Sequence, residues 1–322
     1  MGLTDLFKKK NNDGADGEQP NKRSSGTHYL TGKEVREIAK ANQQEMRRLE
    51  KEKKRKVPPS AYTTELKDPA NILEVENLHS YFFTDQGVVK AVNGVSFNIP
   101  LNSTVGVVGE SGCGKSTIVG LMNGNLIPQK GSVSVGNTKL GQLSRADYYS
   151  HLAVVSCNTY IFNDTVRNNF CLASPWATDE QMEAALNKVN LWKFIEENGG
   201  LDKSISEDAA NISGGQKQRL ALAVNLVADK DIYIFDEATS NIDIESEEII
   251  MKNIKALSKE KNVIVISHRL ENIVPADRIY YMESKEVKEC GNHQSLMDAK
   301  GGYAMLYRRQ KELEKGYAEV SA

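Results

Sequence analysis

The apolar run TVGVV (104–108) passes without a break into GESGCGKST (109–117). A β-branched apolar run, a glycine-rich turn and a Lys-Ser pair opening a helix form the strand–loop–helix order of a phosphate-binding loop. Gly109 to Ser116 match its GxxxxGKS spacing. A strand of this kind belongs in a sheet covered on both faces, which requires helical crossovers and a parallel arrangement. Gly109, Gly112 and Gly114 let backbone N–H groups close around phosphate oxygens with no Cβ in the way, while the following helix directs about +0.5 charge at them. In this pattern Lys115 reaches the β- and γ-phosphates and Ser116 ligates Mg²⁺. Glu110, Ser111, Cys113 and Thr117 complete the candidate nucleotide-binding stretch, with Cys113 at a free position of the motif and read as passive.

Three further runs share the texture of TVGVV: LAVVS (152–156), DIYIF (231–235) and VIVIS (263–267). Helical patterns lie between them, which gives a parallel, helix-flanked sheet. The clearest helix is 178–190, with a Thr178/Gln181 capping box and Met182, Ala185, Leu186 and Val189 on one face. By contrast ILEVENL (72–78), VVKAV (88–92), VSFNI (95–99) and SVSV (132–135) are β-branched and often alternate, as in half-exposed antiparallel strands. The expected fold is α/β: a P-loop NTPase core, an antiparallel β subdomain, and an α-helical subdomain over about 163–228.

At 322 residues and 39% hydrophobic content the chain can bury a substantial core. Net charge is −2, but residues 1–70 carry 16 Lys/Arg against 11 Asp/Glu, leaving 25 against 32 for the remainder. The body is thus no basic nucleic-acid platform, and no nucleic-acid partner is expected. Cys113, Cys157, Cys171 and Cys290 lack both paired zinc-site spacing and disulfide density, as suits a reducing cytosol. No run approaches the roughly 18–20 apolar residues that span a bilayer, and the N-terminus has no signal-peptide pattern. A soluble chain made in the cytosol is expected.

Residues 1–30 read as a disordered tail, because 8–28 are polar and without periodicity. Residues 31–57 read as a marginal basic helix, opened by a Thr31/Glu34 capping box and carrying a thin stripe of Val35, Ile38, Met46 and Leu49. Pro58-Pro59 stop it, and 58–71 form a linker to the body at 72–310; 311–322 finish a C-terminal helix and tail. The run RRLEKEKKRK (47–56) can touch anionic lipid, at about 1 kcal/mol per basic residue, or be a charged linker face.

IYIFDE delivers Asp236 and Glu237 at the carboxyl end of a strand, where open α/β sheets bind ligands. Asp236 offers oxygen to a hard divalent cation, directly or through water, and Glu237 can polarise an attacking water. In NISGGQKQR (211–219), Ser213 can cap a helix whose first turn contains Gly214 and Gly215, so its free N–H groups form a second anion site. One phosphate loop cannot use both helix ends on a single γ-phosphate without a partner chain.

These motifs resemble the ATP-binding-cassette superfamily, whose signature reads LSGGQ. The resemblance covers roughly 72–310: the phosphate loop, the signature, Asp236-Glu237, SNID (240–243) and His268 in VISHR. It implies ATP and Mg²⁺ as ligands and a head-to-tail dimer, with itself or another cassette ATPase, in which Ser213, Gly214, Gly215 and Gln216 close over the partner's nucleotide. It further implies that His268 contacts the γ-phosphate and attacking water, that Asp243 links the two sites, and that an aromatic residue stacks on adenine. Phe82 aligns best for that stack and Tyr81 closely follows. The N-terminal part, including GVVKAVNGVSFNI, resembles oligopeptide-importer ATPases; from Ser116 onward TYIFNDTVRNNF, IFDEATSNID and GGYAMLYRRQKELE resemble exporter ATPase domains.

The function implied is ATP hydrolysis driving separate transmembrane permease subunits from the cytoplasmic face of the cell membrane, with peptides as candidate cargo. Alternatives are a soluble cassette ATPase acting on nucleic acid or ribosomes, and a nucleotide-binding regulatory module with weak hydrolysis. One position departs from the family: its glutamine after the strand LAVVS, which touches Mg²⁺ and the attacking water, is here Cys157. A neutral thiol is a poor ligand for a hard cation, and Asn158 next to it carries the nearest carboxamide.

Overall fold

The structure is a computed structural model and describes helical positions 36, 37, 39, 40, 43, 44 and 47, all exposed, and residues 68–84, 87–157 and 160–320. The tail at 1–30, the Thr31/Glu34 box, the stripe of Val35, Ile38, Met46 and Leu49, the basic run beyond Arg47 and Asn158 lie outside the described residues.

Two sheets carry the fold. In one, β1 (Asn71–Thr84), β2 (Gly87–Pro100), β4 (Lys130–Val135) and β5 (Thr138–Lys139) run antiparallel in the order β2-β1-β4-β5. In the other, β3 (Thr104–Gly109), β6 (Leu152–Ser156), β7 (Ile232–Asp236), β8 (Asn262–Ile266), β9 (Arg278–Glu283) and β10 (Glu286–Gly291) are ordered β10-β9-β3-β8-β7-β6. Strands β9 to β6 are parallel and β10 closes the edge antiparallel to β9.

The two runs VVKAV and VSFNI, read from the sequence as separate strands, are one strand. Leu78 faces Val95 and His79 faces Asn93, so Gly94, at φ 77°, is the extra residue of a bulge rather than a turn. The β9–β10 hairpin carries no strong sequence signal. Its turn residues Ser284 and Lys285 have φ 51° and 70°, a left-handed pair that Asn-Gly usually fills.

Strands β3, β6, β7 and β8 of the second sheet are largely apolar because both faces are covered. Ile232, Ile234, Ile264, Ile266, Val105 and Val107 enter one core with Leu73 and Val75 of β1 and with Ile118, Leu121 and Met122 of α1 (Lys115–Met122). Their alternates Tyr233, Phe235, Val263 and Val265 enter a second core with Phe170 of α3 (Val166–Ala173), Leu186 of α4 (Asp179–Lys188) and Leu220 of α6 (Gly214–Val227). A helix α2 (Arg145–His151) precedes β6, and α5 (Trp192–Glu197) lies between α4 and α6. The capping box at Thr178 forms: Gln181 Oε1 accepts from Thr178 N at 2.9 Å and Thr178 Oγ1 accepts from Gln181 N at 3.4 Å. After β7 come α7 (Ile244–Leu257), α8 (His293–Ala299) and α9 (Gly302–Val320), the last continuous past residue 310.

The parallel register places the site. Ser156 pairs with Asp236, Asp236 with Ile266, and Ile266 with Val107, so the segments beginning at Gly109, Cys157, Glu237 and Ser267 leave from one edge of the sheet. This is the carboxyl edge, where ligands bind in such folds.

Candidate functional site

A cleft of about 380 Å³ opens at that edge. It is lined by Phe82, Val89, Ala91, Ser111, Gly112, Gly114, Lys115, Ser116, Thr117, Glu237, His268 and Lys285. The phosphate loop forms one wall. Gly114 caps α1 at φ 103°, and a Cβ there would sit 2.4 Å from Ala91 O, so only glycine fits where the loop passes β2. Lys115 is buried, and its Nζ donates to Gly109 O at 2.6 Å and Glu110 O at 3.0 Å, which centres the ammonium inside the loop. Cys113 is also buried, with Sγ 3.7 Å from that ammonium, and does not line the cleft. Glu110 is exposed and turned toward Arg309, 4.0 Å away.

At the opposite lip Glu237 and His268 meet, with Nε2 to Oε1 at 2.5 Å. Glu237 has φ 53°, a left-handed conformation that costs a non-glycine residue on the order of 1–3 kcal/mol. Hydrogen bonds hold it there: its N–H donates to Ile266 O at 2.8 Å, and its carbonyl accepts from Gln218 Nε2 and Ser240 N, each at 3.2 Å. Asp236, the last residue of β7, is partly buried. Burial first, and then the adjacent Glu237, push its carboxyl above the usual carboxylate range, against the opposing pull of Lys115 and His268.

Phe82 and Tyr81 part company. Phe82 is 44% exposed at the cleft, whereas successive residues of a strand point to opposite faces and Tyr81 instead bonds His79 Nδ1 through its hydroxyl at 3.0 Å. Tyr81, unlike Phe82, does not line the cleft.

The signature residues stand at the start of α6, away from the lining of this chain's own cleft. Ser213 Oγ accepts from Gln216 N at 3.2 Å and Gln216 Oε1 accepts from Ser213 N at 2.9 Å, so Ser213 and Gln216 form a reciprocal capping box. Ser213 and Gly214 are exposed, and a Cβ on Gly215 would lie 2.9 Å from Asn241 O. The SNID loop thus lies directly against the signature. Asp243 caps α7, its Oδ1 accepting from Ser246 N at 2.8 Å. Cys157 is exposed in the turn after β6.

Sequence reasoning missed four contributors. Val89, Ala91 and Lys285 reach the cleft through the β2 bulge and the β9–β10 turn, and buried Gln218 ties α6 to both Glu237 O and Asn241 N, the latter at 3.2 Å. Gln218 carried a signal, as a polar residue at a core-facing position of α6.

Comparison with known proteins bears on the same stretch. Residues 92–240 match the sequence pattern of the family described as ABC transporter. The chain carries an ABC transporter ATP-binding domain. An uncharacterized ABC transporter ATP-binding protein of Haemophilus influenzae is 41% identical over 256 residues, 80% of this chain and 45% of that protein. An ATP-dependent lipid A-core flippase of Vibrio cholerae is 41% identical over 231 residues, 71% of this chain and 40% of the flippase. A solved structure of a bacterial Atm1-family ABC exporter with ATP bound superposes with a TM-score of 0.71 at 28% identity, over 80% of this chain and 44% of the exporter. The chain therefore spans less than half the length of these relatives. Its cassette binds ATP.

Magnesium is the usual companion of ATP, and the donor set suits it. Ser116 and Asp236 offer oxygen, and among the described residues no group of three or more His, Cys, Asp or Glu could hold a metal unaided. That fits a cation kept by one or two protein oxygens, water and substrate phosphates.

Proposed function

We propose that this chain binds and hydrolyses Mg²⁺-ATP as the nucleotide-binding part of an ABC transporter and drives transmembrane subunits from the cytoplasmic face of the membrane. The observation that carries the reading is the Glu237–His268 contact of 2.5 Å, held at the lip of the cleft that contains Lys115. Phe82 and Val89 offer an apolar face to adenine, and Lys115 and the loop amides neutralise the phosphates. Glu237 polarises the attacking water, and His268 fixes the carboxylate and reaches toward the γ-phosphate. Ser116 and Asp236 would hold Mg²⁺, which would offset charge on the phosphates when bound.

Dimerisation with a second cassette is supported by the exposed Ser213 and Gly214, whose helix N-terminus suits an anion and does not line the chain's own cleft. Closure would bring it over the partner's phosphates, with the SNID loop and Asp243 at the seam. Among the described residues no helix is long and apolar enough to cross a membrane. The relatives named as flippases and exporter favour outward movement of cargo over peptide import. ATPase activity of the full chain beside Glu237→Gln tests the reading: turnover that falls in the variant supports it, and equal rates sink it.

A further inference from the structure

One buried carboxylate outside the cleft gathers polar partners from both loops of the site. Glu247, in the first turn of α7, is 6% exposed and carries three partners. Its Oε1 accepts from Thr239 Oγ1 at 2.7 Å and from Asn272 Nδ2 at 2.8 Å, and its Oε2 is ion-paired with Arg269. Thr239 belongs to the loop that carries Glu237, and Arg269 directly follows His268. Asn272 lies in the same segment as His268, and Arg269 N donates to Ser267 Oγ at 3.0 Å. One carboxylate therefore ties together the two loops whose tips make the Glu237–His268 contact.

A buried carboxylate held by an arginine and two neutral donors is retained only where each partner is positioned, since losing one leaves charge unpaired. Besides these ties, the bonds between the two loops among the described residues include the Glu237–His268 contact itself, Glu237 N to Ile266 O at 2.8 Å and a 3.4 Å contact of Asn272 Nδ2 with Thr239 Oγ1. We infer that Glu247 is a positioning residue for ATP hydrolysis: it sets the spacing of Glu237 and His268 without touching nucleotide. The inference rests on the ATPase reading above. Since Glu247 does not line the cleft, its loss acts on turnover and leaves nucleotide affinity alone.

The test uses the full chain and compares wild type, Glu247→Ala, Glu247→Gln, Arg269→Gln and His268→Ala. Turnover is followed as phosphate release under single-turnover conditions, ATP affinity by equilibrium binding, and folding by thermal melting. Glu247→Ala and Arg269→Gln are expected to lower turnover about 10- to 100-fold, as misplacement of reacting groups does, with the ATP dissociation constant within about twofold. Glu247→Gln keeps an acceptor for Thr239 and Asn272 and is expected to fall between them and wild type. In a His268→Ala background Glu247→Ala should add no further loss, because the geometry it protects is already gone. If Glu247→Ala does not fold, Arg269→Gln carries the same comparison from the more exposed side of the ion pair. Unchanged turnover, affinity that falls in step with turnover, or an equal further loss in the His268→Ala background each overturns the inference. Wild-type chain without turnover sinks both readings; wild-type turnover untouched by Glu247→Ala and Arg269→Gln sinks this one alone.

Discussion

His268 Nε2 lies 2.5 Å from Glu237 Oε1, which joins the loop after β8 to the loop after β7 at the mouth of the nucleotide cleft. A proton on Nε2 then donates to the carboxylate, which orients both groups. The pair spans residues that are distant in sequence but adjacent at the sheet edge, since Asp236 is in register with Ile266. His268→Ala should lower turnover by about 10²–10⁴-fold, the range for a group engaged in proton transfer or its orientation. Binding of ATP should change little, because the phosphate loop is intact. Comparable loss in Glu237→Gln, and little more in the double variant, would show the two acting as a unit in phosphate-release assays.

Phe82 and Tyr81 are separated by one peptide bond and by the plane of the sheet. Phe82→Ala should weaken ATP binding by roughly 5- to 150-fold, corresponding to the about 1–3 kcal/mol of a base–aromatic stack. Tyr81→Ala should leave affinity within about twofold, since its hydroxyl serves His79 rather than the cleft. Equilibrium binding of a fluorescent ATP analogue to the two variants reads the difference. Equal effects would mean that the aromatic ring is not selected by strand face.

Asp236 sits at a cost to the fold. Its carboxyl is held above the usual range by burial and by Glu237, so in the nucleotide-free chain its charged form at neutral pH opposes folding. Asp236→Asn should therefore melt at a higher temperature than wild type at pH 7.5 without nucleotide, while losing Mg²⁺-dependent turnover. Such opposition of stability and activity is expected of a site residue. A lower melting temperature in the variant would place Asp236 among ordinary structural carboxylates instead.

The sequence carries the parts of this site whose chemistry is contiguous. Gly109 to Ser116, Asp236-Glu237 and Ser213 to Gln216 each declare themselves because their spacing is local, and the apolar runs of β3, β6, β7 and β8 show burial on both faces. What was illegible depends on register and non-local pairing. The sequence already ranked Phe82 ahead of Tyr81, but Lys285 reaches the cleft only through a turn without Asn-Gly. The Glu247 ties join residues from three separate segments, and no period or motif brings those together in a linear reading.

Cys157 is the position where the family's chemistry should not be carried over. It is exposed in the turn directly after Ser156, which is paired with Asp236 at the end of β7. Soft sulfur competes poorly with water for a hard cation. Mg²⁺ would then depend on Ser116, Asp236 and water. Cys157→Gln restores a carboxamide oxygen at that edge and should lower the Mg²⁺ concentration giving half-maximal ATPase activity, with little effect on nucleotide affinity measured without metal. Because the residue is exposed, the substitution should not disturb the core, and the melting temperature should stay close to wild type. An unchanged Mg²⁺ midpoint at unchanged stability would mean that the cation draws nothing from this position and that Cys157 is only the end of a strand.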